Sequence, residues 1–232
     1  MKINILGITL ARAGSKSIKN KNITLINRKP LIYYTIKEAK KSKLLTNYVV
    51  STDSIKIKKV CEKYKAEVPF LRPKKYSTDN ASSASALKQA LIKCEKIYNK
   101  KFHYVVELMS TNPLKTVSDI NNIIKLILKN KADSVIAVNQ LHDHHPARIK
   151  KIQNGKLVDF AIKEKLESRR QDLKPKAFIR SGSIYAMSRN FVLKNKRYVS
   201  NVSVPYILSP NKSINIDNKY DLMLAKIKIN EK

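Results

Sequence analysis

The densest chemistry in the chain falls between positions 10 and 22. Arg12 is a permanent cation, Gly14 is one of only 4 glycines, Ser15 and Ser17 carry hydroxyls, and Lys16, Lys19 and Lys21 add ammonium groups. Phosphate binding needs exposed backbone N–H groups, which small residues supply, together with cations that neutralise charge. The segment therefore reads as a candidate phosphate cradle. It lacks both the glycine-x4-glycine-lysine spacing of a P-loop and a GxGxxG pattern. Taken alone, the same residues also fit an ordinary polar loop with solvated lysines.

Other clusters carry less. His142, Asp143, His144 and His145 are zinc-ligand types, but neighbours in one loop lack the wider spacing that closes a tetrahedral site. Cys61 and Cys94 fall within helical patterns and read as inert buried positions. Two cysteines exclude a disulfide scaffold and a four-cysteine zinc site. Tyr33, Tyr34 and Tyr185 read as core or interface aromatics rather than stacking platforms. Asp79 reads as a helix cap or, as the alternative, a nucleotide-side acid, the cap being the favoured reading.

The elements that must position these residues alternate between strand and helix. Apolar runs at 3–10, 48–51, 67–71, 104–108 and 134–138 have strand character. Between them, helical patterns cover 31–43, with Pro30 at its start, then 54–64, 83–98 and 117–129. Asp53 or Ser54 caps the second helix, and Ser82 or Ser83 the third. This rhythm predicts an α/β fold with a Rossmann-like, mostly parallel sheet covered on both faces. Ligands of such sheets bind beyond the carboxyl ends of the strands, where the 10–22 loop begins. After about residue 139 the rhythm changes. Asn154-Gly155 marks a hairpin between 148–152 and 156–160, and strand character resumes at 184–187, 204–208 and 214–216 before a helix at 219–229. The chain thus reads as one domain over 1–232 with an inserted segment at 140–178.

Composition narrows the class. Hydrophobic residues make up 43 % of 232, enough for a globular core. No apolar run approaches the roughly 18–20 residues of a membrane span. Residues 1–6 lack the apolar length and cleavage site of a signal peptide, so a cytoplasmic, reducing setting is the expectation. The net charge of +31 suits either a nucleic-acid backbone or a small anionic substrate. The lysines are scattered, as in Lys37, Lys40, Lys41, Lys56, Lys58 and Lys59, and no arginine-rich stripe stands out. Nucleic acid is therefore the weaker reading.

Leu10-Ala11-Arg12-x-x-Ser15-Lys16-x-x-x-x-Lys21-Asn22 resembles the opening signature of the acylneuraminate (CMP-sialic acid) cytidylyltransferases. Ser51-Thr52-Asp53, Leu71-Arg72-Pro73 and Ser77-Thr78-Asp79-Asn80-Ala81-Ser82-Ser83 follow in that family's order. So do Thr111-Asn112-Pro113-Leu114-Lys115, His144-His145-Pro146, Arg170-Gln171-Asp172-Leu173, Gly182-Ser183-Ile184-Tyr185 and Ile214-Asn215-Ile216-Asp217. The resemblance spans nearly the whole chain.

It implies a cytidylyltransferase joining CMP from CTP to the anomeric hydroxyl of a nonulosonic acid, with pyrophosphate leaving. Arg12, Lys16 and Lys21 would grip the CTP phosphates and stabilise the charge that shifts as pyrophosphate departs. Ala11, Ser15, Asn22, Arg72 and Ser82 would contact the nucleotide. Arg148, Arg170 and Lys115 would face the sugar end, the arginines on its carboxylate. Asp217 and Asn215, on one face if extended, would hold Mg2+. The inserted segment would make a homodimer contact. The nearest enzymatic alternative is a cytidylyltransferase for another acid sugar, such as the eight-carbon Kdo; a basic nucleic-acid-binding protein and a silent nucleotide-binding relative are the others.

Departures from the family pattern fall at particular positions. Ser17 replaces the glycine after the loop lysine, and Met109-Ser110 replaces glutamine-proline. Lys115 replaces an arginine, Ser181 the asparagine before Gly182, and Asn215 the first aspartate of the metal motif. These changes bear on which sugar is used and on how tightly a metal is held.

Overall fold

The computed structural model describes residues 3–15, 17–142, 144–163, 169, 172–194 and 197–231. In chain order the elements are β1 (Ile5–Leu10), β2 (Leu25–Ile26), β3 (Lys29–Pro30), α1 (Leu31–Lys41), β4 (Asn47–Ser51), α2 (Ile55–Lys63), α3 (Ser83–Ile97) and β5 (Tyr104–Leu108). They continue with α4 (Val117–Asn130), β6 (Ser134–Gln140), β7 (Lys150–Gln153), β8 (Lys156–Asp159), β9 (Phe178–Ser188), α5 (Arg189–Lys194), β10 (Val204–Ile207) and α6 (Lys219–Asn230).

Six strands form the main sheet in the order β10-β6-β9-β5-β1-β4. β1 runs parallel to β4 and β5, and β10 parallel to β6, while β9 lies antiparallel between β5 and β6. This is the expected α/β fold with a mostly parallel sheet. Successive strand side chains point to opposite faces, so each strand feeds two cores. Leu6, Ile8 and Val105 pack with Leu87, Leu91 and Cys94 of α3. Ile5 and Val106 pack on the other face with Ile120, Ile123, Ile124 and Ile127 of α4. The 3–4 spacing of those isoleucines gives α4 its apolar stripe, and each buried side chain stabilises the fold by roughly 1.5–3 kcal/mol.

Two expected strands are absent. Residues 67–71 make only single bridges, Val49 to Glu67 and Thr52 to Leu71. Pro69 lies between them and has no N–H to donate, so the ladder cannot run through. Residues 214–216 are not a strand either; Ile216 N–H donates to Thr111 O at 2.8 Å and holds the segment against the loop after β5. The hairpin at Asn154-Gly155 is present, both residues at positive φ (52° and 73°), and β7 and β8 form their own two-stranded sheet. The 140–178 stretch leaves β6 at Gln140 and rejoins β9 at Phe178, which are paired in the ladder, and Leu141 N–H donates to Ala177 O.

Candidate active site

Three adjoining hollows open at the carboxyl ends of β1 and β5, of about 350, 570 and 310 Å³. Ser83, at the start of α3, lines all three. Arg12, Lys21 and Asn22 border the first; Met109 joins it to the second, and Arg12 joins it to the third, where Arg72 lies. The strand-end loop thus sits where the α/β rule places a ligand.

That loop is fastened by its own backbone. Ala11 is fully buried and donates its N–H to Ser51 O at 2.9 Å, and Ala13 N–H donates to the Asp53 carboxylate at 3.0 Å. Asn22 is buried: its amide donates to Arg12 O at 3.0 Å and its Oδ1 accepts from Ser110 Oγ at 2.6 Å. Asn22 therefore ties the end of the loop to its beginning and to the strand-end wall. Ser15 N–H folds back onto Ala13 O at 2.9 Å, and the Ser15 side chain borders the first hollow.

Charges converge on the same space. Arg12 Nη1 donates to Asp79 Oδ1 at 2.8 Å and to Thr78 O at 3.2 Å. Lys21 Nζ reaches Ile216 O at 2.8 Å and Asp217 Oδ1 at 3.1 Å. Arg72 is buried, with Nε and Nη2 lacking any hydrogen-bond partner. Burial lowers its pKa, while Asp53 and Glu107 favour its charge. Buried donors of this kind demand an acceptor, and the adjoining hollow is where one can enter.

Asn215 Nδ2 donates to Asp217 Oδ2 at 2.6 Å, leaving the buried Asn215 Oδ1 without a partner. The two side chains meet although the segment is not a strand. One carboxylate beside one unclaimed amide oxygen, with phosphate oxygens completing the shell, is a donor set that fits magnesium. Gly182 shapes this corner: its φ is +61°, and a Cβ there would lie 3.1 Å from Asn215 Cγ.

Several expectations need correction. Asp79 is not the cap of α3; Ser82 is, accepting from Ser85 N–H at 3.1 Å. The Ser82 hydroxyl thus accepts from the helix and keeps its own O–H, and Ser83 lines the hollows. Lys115 does not face the sugar end. It is 1 % exposed, and its ammonium donates to Thr35 Oγ1 at 2.9 Å, to Met109 O at 2.6 Å and to Asn112 O. The turn after β5 offers those inward carbonyls, and a lysine satisfies them. Arg148 is exposed on the short 3₁₀ turn Pro146–Arg148 and, within one chain, does not border the hollows, which leaves its expected sugar contact as a proposal for the dimer. His145 spends Nδ1 on Ala147 N–H and Nε2 on Pro175 O, a backbone role. Lys16, Asp143 and Arg170 lie outside the described residues.

Sequence reasoning missed three groups. Asp53 braces the loop instead of capping α2, where Ser54 accepts from Ile57 N–H. Glu107 is 2 % exposed yet borders the first hollow, with Oε2 lacking a hydrogen-bond partner. Burial pushes its carboxyl up to about 7, against the pull of Tyr198 and Arg72. A lone acid inside the apolar run of β5 was the available signal. Arg180 borders the second hollow, and nothing in its local sequence marks it.

The architecture is that of a nucleotidyltransferase. Its fold matches the structure of CMP:2-keto-3-deoxy-manno-octonic acid synthetase complexed with CTP at a TM-score of 0.73, over 98 % of this chain and 99 % of that one, at 12 % identity. The cytidylyltransferase family profile matches residues 6–206, and the chain belongs to that family, as an enzyme of the acylneuraminate cytidylyltransferase type. Two Campylobacter jejuni proteins illustrate the kinship. The chain is 30 % identical over 228 residues to a CMP-N,N'-diacetyllegionaminic acid synthase, covering 98 % of this chain and 96 % of that protein. It is 32 % identical over 222 residues to a pseudaminic acid cytidylyltransferase, covering 96 % and 94 %. Among the described residues, no helix is long and apolar enough to cross a membrane.

Proposed function

We propose that the protein transfers CMP from CTP to the anomeric hydroxyl of a nonulosonic acid, releasing pyrophosphate. The observation that carries this reading is the braced 11–22 loop, with Arg12 and Lys21 turned into a hollow that Asn22 borders. Arg12 exchanges its half-exposed partner Asp79 for phosphate oxygens, at small cost because exposed ion pairs contribute little. Lys21 and, by family resemblance, Lys16 bind the departing pyrophosphate. Arg72 offers its unpaired donors to the nucleotide in the third hollow. Asp217 and Asn215 Oδ1 would hold magnesium, which when bound neutralises charge on the phosphates. The sugar hydroxyl attacks the α-phosphorus in line, with positioning and fixed charge supplying most of the rate.

The 140–178 segment is assigned to a homodimer contact. Its side chains Ile152 and Leu157, paired across the hairpin and so on one face, are 80 % and 72 % exposed, an apolar patch that a second copy would cover. Sedimentation should give a dimer mass for the intact chain and a monomer for Ile152→Asp with Leu157→Asp. A dimer unchanged by both substitutions removes the assignment.

The sugar is tested by pyrophosphate release from CTP and magnesium over legionaminic, pseudaminic and sialic acids and Kdo, with ATP, GTP and UTP as controls. CTP-dependent release with one nonulosonic acid is the expected result. Release with Kdo alone makes the chain an enzyme for the eight-carbon acid. Silence across the panel with CTP still bound makes it a silent nucleotide-binding relative.

A further inference from the structure

The turn after β5 stands behind both the 11–22 loop and the 214–217 segment, and one buried cation holds it. Lys115 Nζ donates to Thr35 Oγ1 at 2.9 Å, to Met109 O at 2.6 Å and to Asn112 O. Thr35 is a buried residue of α1, so the ammonium clamps the turn to that helix. The three protons of an ammonium match these three acceptors, whereas a neutral amine has two. Asn112 fixes the turn further: its Oδ1 accepts from Leu114 and Lys115 N–H, and its Nδ2 donates to Lys212 O.

The two residues between the clamped carbonyls reach the site. Ser110 Oγ donates to Asn22 Oδ1 at 2.6 Å, and Asn22 in turn holds Arg12 O at 3.0 Å. Thr111 O accepts from Ile216 N–H at 2.8 Å, and Ile216 O accepts from Lys21 Nζ at 2.8 Å. Ile216 is fully buried between Asn215 and Asp217, so its place sets theirs. One cation thus stands behind Arg12, Lys21 and Asp217 at once. Lys115 itself borders none of the three hollows, so any effect it has on a ligand passes through the turn.

We propose that Lys115 is a positioning residue for the reaction, holding through the 109–112 turn both the Asn22 end of the phosphate loop and the Ile216 segment that carries Asn215 and Asp217. This rests on the cytidylyl-transfer reading of the preceding subsection. Glu38 on α1 and Asp119 on α4 are the acids that face Lys115, and both have other partners. Glu38 accepts from Val117 N–H at 2.8 Å and from Lys41, and Asp119 from Lys212 at 2.8 Å and Tyr206 at 3.0 Å. Burial outweighs the two acids and draws the ammonium down to about 7. Above that value the amine has two donors for three oxygens, and the turn loosens. Lys115→Arg restores the arginine of the family pattern and stays charged.

The test is pyrophosphate release from CTP and magnesium between about pH 6 and 9, with the sugar that turns over. Lys115→Met, assayed where circular dichroism shows it folded, should lose about 100-fold in kcat. Its CTP KM should change less than about tenfold, because displaced groups lose alignment before they lose binding. Lys115→Arg should keep kcat within about threefold of the intact protein. As pH rises past about 7 the intact protein should lose activity, and Lys115→Arg should lack that limb. A folded Lys115→Met with unchanged kcat overturns the assignment. An alkaline limb absent from the intact protein, or shared by Lys115→Arg, does the same, and that comparison stands if Lys115→Met does not fold. If no acid sugar turns over, the parent reading has failed, and Lys115 is judged by the crystal structure of Lys115→Met. Loss of the Ser110–Asn22 and Thr111–Ile216 bonds keeps the assignment; both bonds intact removes it.

Discussion

The two halves of the cleft differ in what braces them: one side is a loop tied down by its own hydrogen bonds, the other a strand wall at a register shift. On the proposed nucleotide side, Asn22, Ser110, Asp53 and Lys21 hold partners that brace the loop, and the unpaired polar atoms, Arg72 Nε and Nη2 and Glu107 Oε2, lie in the wall behind it. On the far side, Asn139, Ser181 and Asn215 keep oxygens with nothing to bind. The braced half presents charge in fixed positions, which suits a phosphate chain whose form is the same in every turnover. On the proposed function, the second substrate would be read on this open side, and substitutions there would be the ones that change it. The family departures fall on both sides: Ser17, Met109 and Ser110 border the first hollow, Met109 and Ser181 the second, while Arg12, Lys21 and Asn22 keep the family's residues.

The largest expected effect breaks the braced half. Arg12→Ala removes a cation aimed at phosphate and should lower kcat/KM for CTP by about a thousandfold in a pyrophosphate-release assay, with the melting temperature nearly unchanged. A fall below tenfold would place the phosphate contacts elsewhere.

A smaller effect sits behind the same wall. Lys115→Met strands Met109 O, Asn112 O and the Thr35 hydroxyl without their donor, and should cost about 3 kcal/mol in urea unfolding. Burial draws the Lys115 ammonium down to about 7, against Asp119 and Glu38. A cost under about 1 kcal/mol would mean the turn does not need that pin.

The third prediction sharpens the boundary between the halves. Glu107 keeps its proton to about pH 7 in the folded chain, whereas the unfolded chain releases it near 4.5. Folded protein therefore binds the extra proton between those values, and this group's contribution to stability falls as pH rises from about 4.5 to 7. Glu107→Gln cannot ionise, so it should match the parent at pH 4 and exceed it by about 2 kcal/mol at pH 8. Equal pH profiles in chemical denaturation would show that Glu107 is ionised and accommodated by Arg72.

Much of the nucleotide half was legible because its signals are local. A strand end followed by small and basic residues, the Ser54 and Ser82 caps, and the isoleucine stripe of α4 all lie within a few residues of what they determine. The misreadings concern longer reach. Asp79 looked like a cap until Arg12, 67 residues away, claimed it. Lys115 carries the same charge whether it faces a sugar or three buried oxygens, and only the fold of the 109–112 turn decides. Arg180 acquires its place from a register shift between two strands about 40 residues apart in sequence, a pairing that no window of sequence contains. Pro69, by contrast, announced the break in 67–71 and was there to be read.

The neck at Gln140 and Phe178 has a consequence for how this molecule can vary. Both ends of the excursion are joined by ladder pairing and by the Leu141 to Ala177 bond, so the excursion begins and ends at one point in space. Doubling the length of a loop closed this way costs only about 0.6 kcal/mol. A change of length within the excursion is therefore expected to be absorbed beyond its neck, with the pairing of Gln140 and Phe178 kept.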